Sequence, residues 1–190
     1  MNEKYHIILA SNSPRRRELL AGLGLAFEVK VLPDIAETYP ANLPVQQIAE
    51  YIAVEKADAY KPAMAINDLI VTADTIVVVD NEVLGKPHDE ADAARMLHLL
   101  SGRSHQVITG VCLTTSKQQR HFSVETEVTF KVLTDEEIRH YITHYRPFDK
   151  AGAYGIQEWI GYVGVKSLHG SYFNVMGLPV QRIYSELQKM

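Results

Sequence analysis

The hydrophobic and polar positions divide the chain into short alternating elements. Residues 5–10 (Tyr-His-Ile-Ile-Leu-Ala) predict a short buried strand. Residues 11–13 form a turn, and Ser13-Pro14 predicts a helix start, since serine caps a helix well and proline suits its first position. Leu19, Leu20 and Leu23 give that helix an apolar face, and Gly22 or Gly24 ends it. Residues 27–32 predict a second strand. Residues 33–44 contain three prolines and the acids Asp34 and Glu37, which predicts a loop.

From residue 45 to residue 60 the apolar positions recur at helical spacing. Residues 69–79 are a β-branched run interrupted at Ala73-Asp74-Thr75. Asp80-Asn81 predicts a tight turn, with residues 82–84 returning as a hairpin. A helix follows over 89–100, with Gly102 after it. Residues 106–115 and 122–130 read as paired strands. Thr134-x-x-Glu137 is a capping-box pattern that opens a helix ending before Pro147. Residues 151–156 are glycine-rich, 159–165 predict a strand, and 178–187 a closing helix. Strands and helices alternate with some hairpin character, so the fold class is mixed α/β, a central sheet with flanking helices. The length of 190 residues suits a single domain over 1–190, or one domain with an inserted lobe.

Composition narrows the function classes. A 46% apolar and 22% charged chain is ordinary for a globular protein with a real core. A net charge of -4 lacks the global field of a non-specific nucleic-acid binder, so no nucleic-acid polymer is expected as partner. The single cysteine, Cys112, excludes an internal disulfide and a zinc knuckle and reads as a small buried hydrophobe. No run approaches the ~20 apolar residues of a membrane span, and residues 1–10 do not read as a signal peptide. A cytoplasmic protein is expected, without a membrane partner.

Candidate chemistry falls at four places. Ser11-Asn12-Ser13-Pro14-Arg15-Arg16-Arg17 follows a strand and opens a helix, where unpaired N–H groups and about half a positive charge reside. Arginines there oppose the dipole, and a bound polyphosphate would reverse that cost. A solvated basic turn is the competing reading, and Arg17 reads as a surface charge. Asp74 lies amid an apolar run, where a carboxylate must be paired, hydrogen-bonded or on a metal. It suits a general base for water, or a Mg²⁺ ligand beside a phosphate chain; a turn aspartate between two strands is the alternative. Lys86, in Gly85-Lys86-Pro87, suits a phosphate contact as a point charge, or is a surface lysine. In residues 149–157 small residues would let a backbone approach a flat ligand, and Gln157 can read a base edge with both donor and acceptor; a plain turn would also explain them. Glu37 and Lys56 are quieter candidates. The histidines show no metal spacing; His140 and His144 read as surface residues. No Ser-His-Asp or Cys-His set can be assembled.

Taken in order, Ser11-x-Ser13-Pro14-Arg15-Arg16-x-x-Leu19-Leu20, Ala73-Asp74-Thr75, Gly85-Lys86-Pro87, Leu100-Ser101-Gly102, Asp149-Lys150-Ala151-Gly152-Ala153-Tyr154-Gly155-Ile156-Gln157 and Gly170-Ser171-Tyr172-x-Asn174-Val175-x-Gly177-Leu178-Pro179 resemble the Maf family across residues 7–179. The resemblance implies hydrolysis of nucleoside triphosphates between the α- and β-phosphates with a divalent metal, Mg²⁺ or Mn²⁺. It also implies a fold similar to the inosine triphosphate pyrophosphatases, with two lobes around a cleft, and a homodimer. Asp74 then falls on the family's general base. Ser11, Ser13, Arg15, Arg16 and Lys86 fall on its substrate contacts, and Lys86, Glu37 and Lys56 on further catalytic positions. Glu37 and Asp74 are the implied metal ligands. Arg15, Thr75 and Gln157 match the branch acting on dTTP and UTP rather than the one acting on 7-methyl-GTP. Asn12 departs from the commoner small residue, which the turn tolerates. Two rival readings accompany this one: cleaning of modified pyrimidine nucleotides from the pool, and a nucleotide-binding regulator of cell division with incidental hydrolysis.

Overall fold

A computed structural model describes residues 4–33 and 35–190. Positions 1–3 of the N-terminal stretch and Asp34 of the acidic loop lie outside the described residues. The chain forms two compact units, the first from residues 1–74, 109–124 and 177–190, the second from 75–108 and 125–176.

In the first unit β1 (His6–Leu9) runs parallel to β2 (Phe27–Val29) and to β3 (Asp68–Val79). Ile7 faces Phe27 on one side and Leu69 on the other. Parallel neighbours need crossovers, supplied by α1 (Pro14–Ala21) and α2 (Val45–Tyr60). Helix α2 has the predicted bounds, and its small residues Ala49, Ala53 and Ala57 form a fully buried stripe four residues apart. This stripe permits close approach: a Cβ on Gly110 would lie 2.2 Å from the backbone of Ala49 and Glu50. Helix α7 (Val180–Leu187) closes the unit, slightly shorter than predicted.

Strand β3 is one continuous strand, buried over most of its length, not two runs broken at 73–75. Ala73 and Asp74 have a low local strand preference. The fold overrides it because the Asp74 carboxylate finds a charged partner without leaving the ladder.

In the second unit Asp80 and Asn81 both take positive φ, and the tight turn returns β4 (Glu82–Leu84) antiparallel onto β3. Helix α3 (Glu90–Leu100) is capped by Asp89, whose carboxylate accepts the Asp92 N–H at 2.8 Å. Helix α4 (Asp135–Tyr145) carries the predicted capping box, with Thr134 and Glu137 each bonding the other's N–H. β5 (Ser104–Thr115) and β6 (Gln119–Phe130) lead to β7 (Val165–His169), antiparallel to β6. The strands take the order β2-β1-β3-β5-β6-β7, with β4 paired to β3. The protein is therefore a mixed α/β fold built on a central sheet with flanking helices. The core of the second unit gathers Val77, Leu84, Leu97, Leu100, Phe130 and Tyr141.

Residues 159–165 are not the predicted strand. They form α5 (Trp159–Gly164), and the strand begins only at Val165. Trp, Ile, Tyr and Val favour strands locally, but pairing decides: Val165 is where β6 offers a partner, opposite Phe130. Helix α6 (Tyr172–Met176) spans too few residues to show a period in the sequence. Asn174 in it is buried, and its Nδ2 donates to Val107 O at 3.1 Å and Thr126 Oγ1 at 3.0 Å. Cys112 is buried as expected, and burial pushes its thiol up to about 11, so it is inert as a nucleophile near neutral pH. No helix among the described residues is long and apolar enough to cross a membrane.

Candidate active site

The first unit assembles a charged cluster from four separate elements. β1 delivers the chain to Ser11, which is buried and accepts the Ser13 N–H at 3.2 Å. Ser13 is the N-cap of α1, accepting the Arg16 N–H at 3.4 Å, with Pro14 at the first helical position. Arg15 and Arg16 therefore leave from the first turn, as the sequence predicts. The Arg16 guanidinium turns inward: Nε donates to Gly177 O at 2.9 Å and Nη1 to Ala73 O at 2.8 Å. Burial lowers its pKa, Asp74 opposes that shift, Arg15 adds to it, and Glu37 opposes it again. An arginine so placed stays protonated at any working pH.

Asp74 meets its partner through strand and helix geometry. Side chains at 72 and 74 share one face of β3. That face looks at α2, because Thr72 Oγ1 donates to Ala53 O at 2.6 Å. Two strand residues advance about 6.7 Å and three helix residues about 4.5 Å. A four-carbon lysine stem spans the difference, and Lys56 Nζ reaches Asp74 Oδ1 at 2.8 Å. The same ammonium lies 2.7 Å from Glu37 Oε1, on the acidic loop. The Asp74 and Lys56 side chains are only 13% and 12% exposed, whereas that of Glu37 is 50% exposed. Two cations thus face two carboxylates, one of them well buried. Loss of Lys56 would strand a buried charge, the costly case for an ion pair.

Three predicted residues belong to the second unit. Thr75 follows Asp74 on β3 and is half-buried. Lys86 is exposed after β4 and makes no ion pair among the described residues. Its loop is tied to the glycine-rich segment by the Gly152 N–H, which donates to Gly85 O at 3.0 Å. That segment is less open than the small residues suggest. Gly152 takes φ +68° and sits on Val77, whose Cγ2 would lie 2.8 Å from an added Cβ. Tyr154 and Ile156 are buried, and the Tyr154 hydroxyl shares a 2.7 Å hydrogen bond with His105 Nε2. Packing against the core therefore accounts for Gly152. Gln157 is different: its Oε1 is buried yet has no hydrogen-bond partner among the described residues. A buried amide oxygen without a partner is costly, and a ligand N–H would satisfy it.

Sequence reasoning assigned no role to Tyr141, Lys150 or Glu158. The Tyr141 hydroxyl accepts the Gly155 N–H at 2.9 Å and donates to Glu158 Oε2, and Lys150 reaches Glu158 Oε1 at 3.2 Å and Asp149 Oδ1 at 2.8 Å. A carboxylate directly after Gln157 in an apolar segment was a usable signal for Glu158. Tyr141 carried none, being one aromatic on an amphipathic helix. His140 and His144 are exposed, as their reading as surface residues expects, with tilted ring contacts to each other at 4.2 Å and from His140 to Trp159 at 4.7 Å.

No group of three histidine, cysteine or acidic side chains among the described residues has metal-ligand geometry. Asp74 and Glu37 are two hard carboxylates converging on one ammonium. Mg²⁺ is commonly held by one or two carboxylates, with waters and substrate phosphates completing its shell. The donor set fits a divalent ion that arrives with a phosphate chain, not a closed structural site.

The family model for Maf-like proteins matches residues 6–190. A Phocaeicola vulgatus protein named "dTTP/UTP pyrophosphatase" is 65% identical over 99% of this chain and 97% of its own length. A Bacteroides thetaiotaomicron protein of the same name is 58% identical with the same coverage. Among solved structures, that of the Staphylococcus aureus Ham1 protein aligns with a TM-score of 0.46 and 16% identity, covering 66% of this chain and 71% of that one. The match from β1 to the last residue, together with relatives this similar over nearly their full length, means that the chain belongs to the Maf family.

Proposed function

We propose that this protein is a nucleoside triphosphate pyrophosphatase that hydrolyses dTTP and UTP to the monophosphate and pyrophosphate. The observation that carries this reading is the Asp74–Lys56–Glu37 cluster, its Asp74–Lys56 pair largely buried, beside Arg16, in a chain 65% identical to a relative with that name. The regulator reading is not favoured, because its close relatives are named for catalysis.

In this reading a water attacks the α-phosphorus. A new P–O bond forms, the bond to the oxygen bridging α and β breaks, and pyrophosphate leaves. Asp74 orients the water and takes its proton. Lys56 holds the Asp74 carboxylate in place, while Arg15 and Lys86 offset charge on the phosphates. Ser11 and Ser13 shape the α1 N-terminus, whose positive dipole end suits a phosphate. Arg16 anchors the backbone at Ala73 and adds positive charge. Gln157 and Thr75 meet the pyrimidine. Glu37 and Asp74 would hold Mg²⁺ or Mn²⁺, which when bound neutralises phosphate charge and acts as a Lewis acid. We place the activity in the cytoplasm, where nucleoside triphosphates are made and consumed.

The test is pyrophosphate release from dTTP, UTP, CTP, GTP and 7-methyl-GTP, with Mg²⁺ and after chelation. Metal-dependent release from dTTP and UTP is expected. Preference for a purine would overturn the specificity assigned to Thr75 and Gln157. Release undiminished by chelation would remove the metal from the reaction.

A further inference from the structure

Gln157 sits on a turn closed by an unusual amount of buried polar structure. The Glu158 N–H donates to Gly155 O at 3.0 Å, which closes the turn around Gln157. Both ends of the turn then meet one hydroxyl on α4: Tyr141 Oη accepts from the Gly155 N–H at 2.9 Å and donates to Glu158 Oε2. The other Glu158 oxygen receives Lys150 Nζ at 3.2 Å. Lys150 and Glu158 are 9% and 21% exposed at their side chains, so this is a largely desolvated ion pair. Gly155 lies at the centre. A Cβ there would come within 3.0 Å of Lys150 Cε and 3.1 Å of both Gln157 Nε2 and Glu158 Cδ.

The Gln157 amide thus lies close to Gly155, whose N–H is held by Tyr141 and whose carbonyl is held by the Glu158 N–H, and its own oxygen has no hydrogen-bond partner among the described residues. Replacing a buried ion pair by apolar side chains is often neutral or stabilising, so such a pair is weak evidence of a stability role. A network clamping both ends of one turn has a clear geometric effect: it fixes where the tip residue points.

We infer that Tyr141, Glu158 and Lys150 are positioning residues that preorganise Gln157 for the pyrimidine edge, and so set substrate selectivity without touching the reacting phosphates. The inference rests on the proposed role of Gln157 in base recognition. A hydrogen bond made equally in ground and transition states lowers KM and leaves kcat alone. Loosening the amide therefore acts on KM and on the choice between UTP and CTP, whose pairing edges differ in donor and acceptor order.

The experiment measures kcat and KM for UTP and CTP with wild type, Gln157→Ala, Tyr141→Phe, Glu158→Ala and Glu158→Gln, each checked for folding by thermal unfolding. Tyr141→Phe and Glu158→Ala are expected to raise KM for UTP about tenfold and to lower the UTP:CTP ratio of kcat/KM by a similar factor, with kcat within about threefold. Glu158→Gln keeps the shape and an acceptor for Lys150, and should recover part of both effects. If Gln157→Ala shifts KM and selectivity but the folded Tyr141 and Glu158 variants do not, the network only supports the fold and the inference is overturned. If Gln157→Ala itself changes neither, the base-recognition role fails, and the inference with it. Should Tyr141→Phe not fold, the contrast between Glu158→Gln and Glu158→Ala decides: equal losses in kcat with unchanged selectivity would overturn it.

Discussion

At the scale of single residues, Asp74 shows how a sequence anomaly becomes a chemical statement. A carboxylate inside a run of Leu, Ile and Val is costly unless something holds it. Lys56 does so at 2.8 Å, from a helix reached through one crossover. Changing Asp74 to asparagine keeps the size and an acceptor for Lys56 but removes the basic oxygen. Turnover of dTTP should fall about 10³-fold, with KM shifted only a few-fold. Steady-state kinetics checks this, and near-normal kcat would take Asp74 out of the base role. The Lys56 partner was not readable from its neighbours, because spacing along α2 marks it only as a charge beside a buried face. Glu37 carried even less local signal, and its pairing with the same ammonium became visible only in three dimensions.

At the scale of elements, the helices were the most legible part. α2 has the bounds its apolar spacing implies, and α4 forms its reciprocal cap, because periodicity and capping act within a few residues. The strands were less legible. β3 runs unbroken through Asp74, and the strand expected at 159–165 is a helix followed by β7. Strand limits depend on a partner far away in sequence, so local preference misplaces them. Element packing also explains Gly110, which the sequence did not single out. A methyl group there would lie 2.2 Å from the α2 backbone. Gly110→Ala should therefore destabilise the protein by about 3 kcal/mol, the upper part of the usual overpacking range. Urea unfolding measures it, and a loss below about 0.5 kcal/mol, typical of a surface change, would mean that α2 moves away freely.

For the whole molecule, acid stability follows from one buried histidine and several paired carboxylates. His105 is 2% exposed between Phe130 and Tyr154, and burial lowers its pKa from 6.5 to about 4. Between those values the unfolded chain binds a proton that the folded one refuses. The contribution is complete above pH 6.5 and is lost as pH falls toward 4. Between pH 7 and pH 5 the loss should be about 2 kcal/mol. Below that, carboxylates such as Asp68 take over. Its burial opposes ionisation, but hydrogen bonds from the Ala65 N–H and His6 prevail and hold its pKa low. Its stabilisation is present above its unfolded value of 3.8 and fades as pH drops through the folded one. Urea unfolding at pH 7 and pH 5 should show a steeper loss for wild type than for His105→Gln, which cannot titrate yet can still bond Tyr154. Equal slopes would exclude His105 as the source.

The sequence alone determined the features that act over a few residues or match as ordered motifs. These are the mixed α/β class, the helix starts at Ser13 and Thr134, and the membership implied by six blocks in order. They are also the features for which caps, periodicity and composition suffice. Tertiary structure decided what depends on neighbours distant in the chain. It kept β3 whole through Asp74, joined Lys56 to Glu37 and Asp74, turned Arg16 onto two backbone carbonyls, and closed the turn around Gln157 with Tyr141 from another helix. The physical reason is common to all four. A buried charge or polar group is stable only where a partner arrives, and chain folding, not local spacing, brings that partner within hydrogen-bond reach.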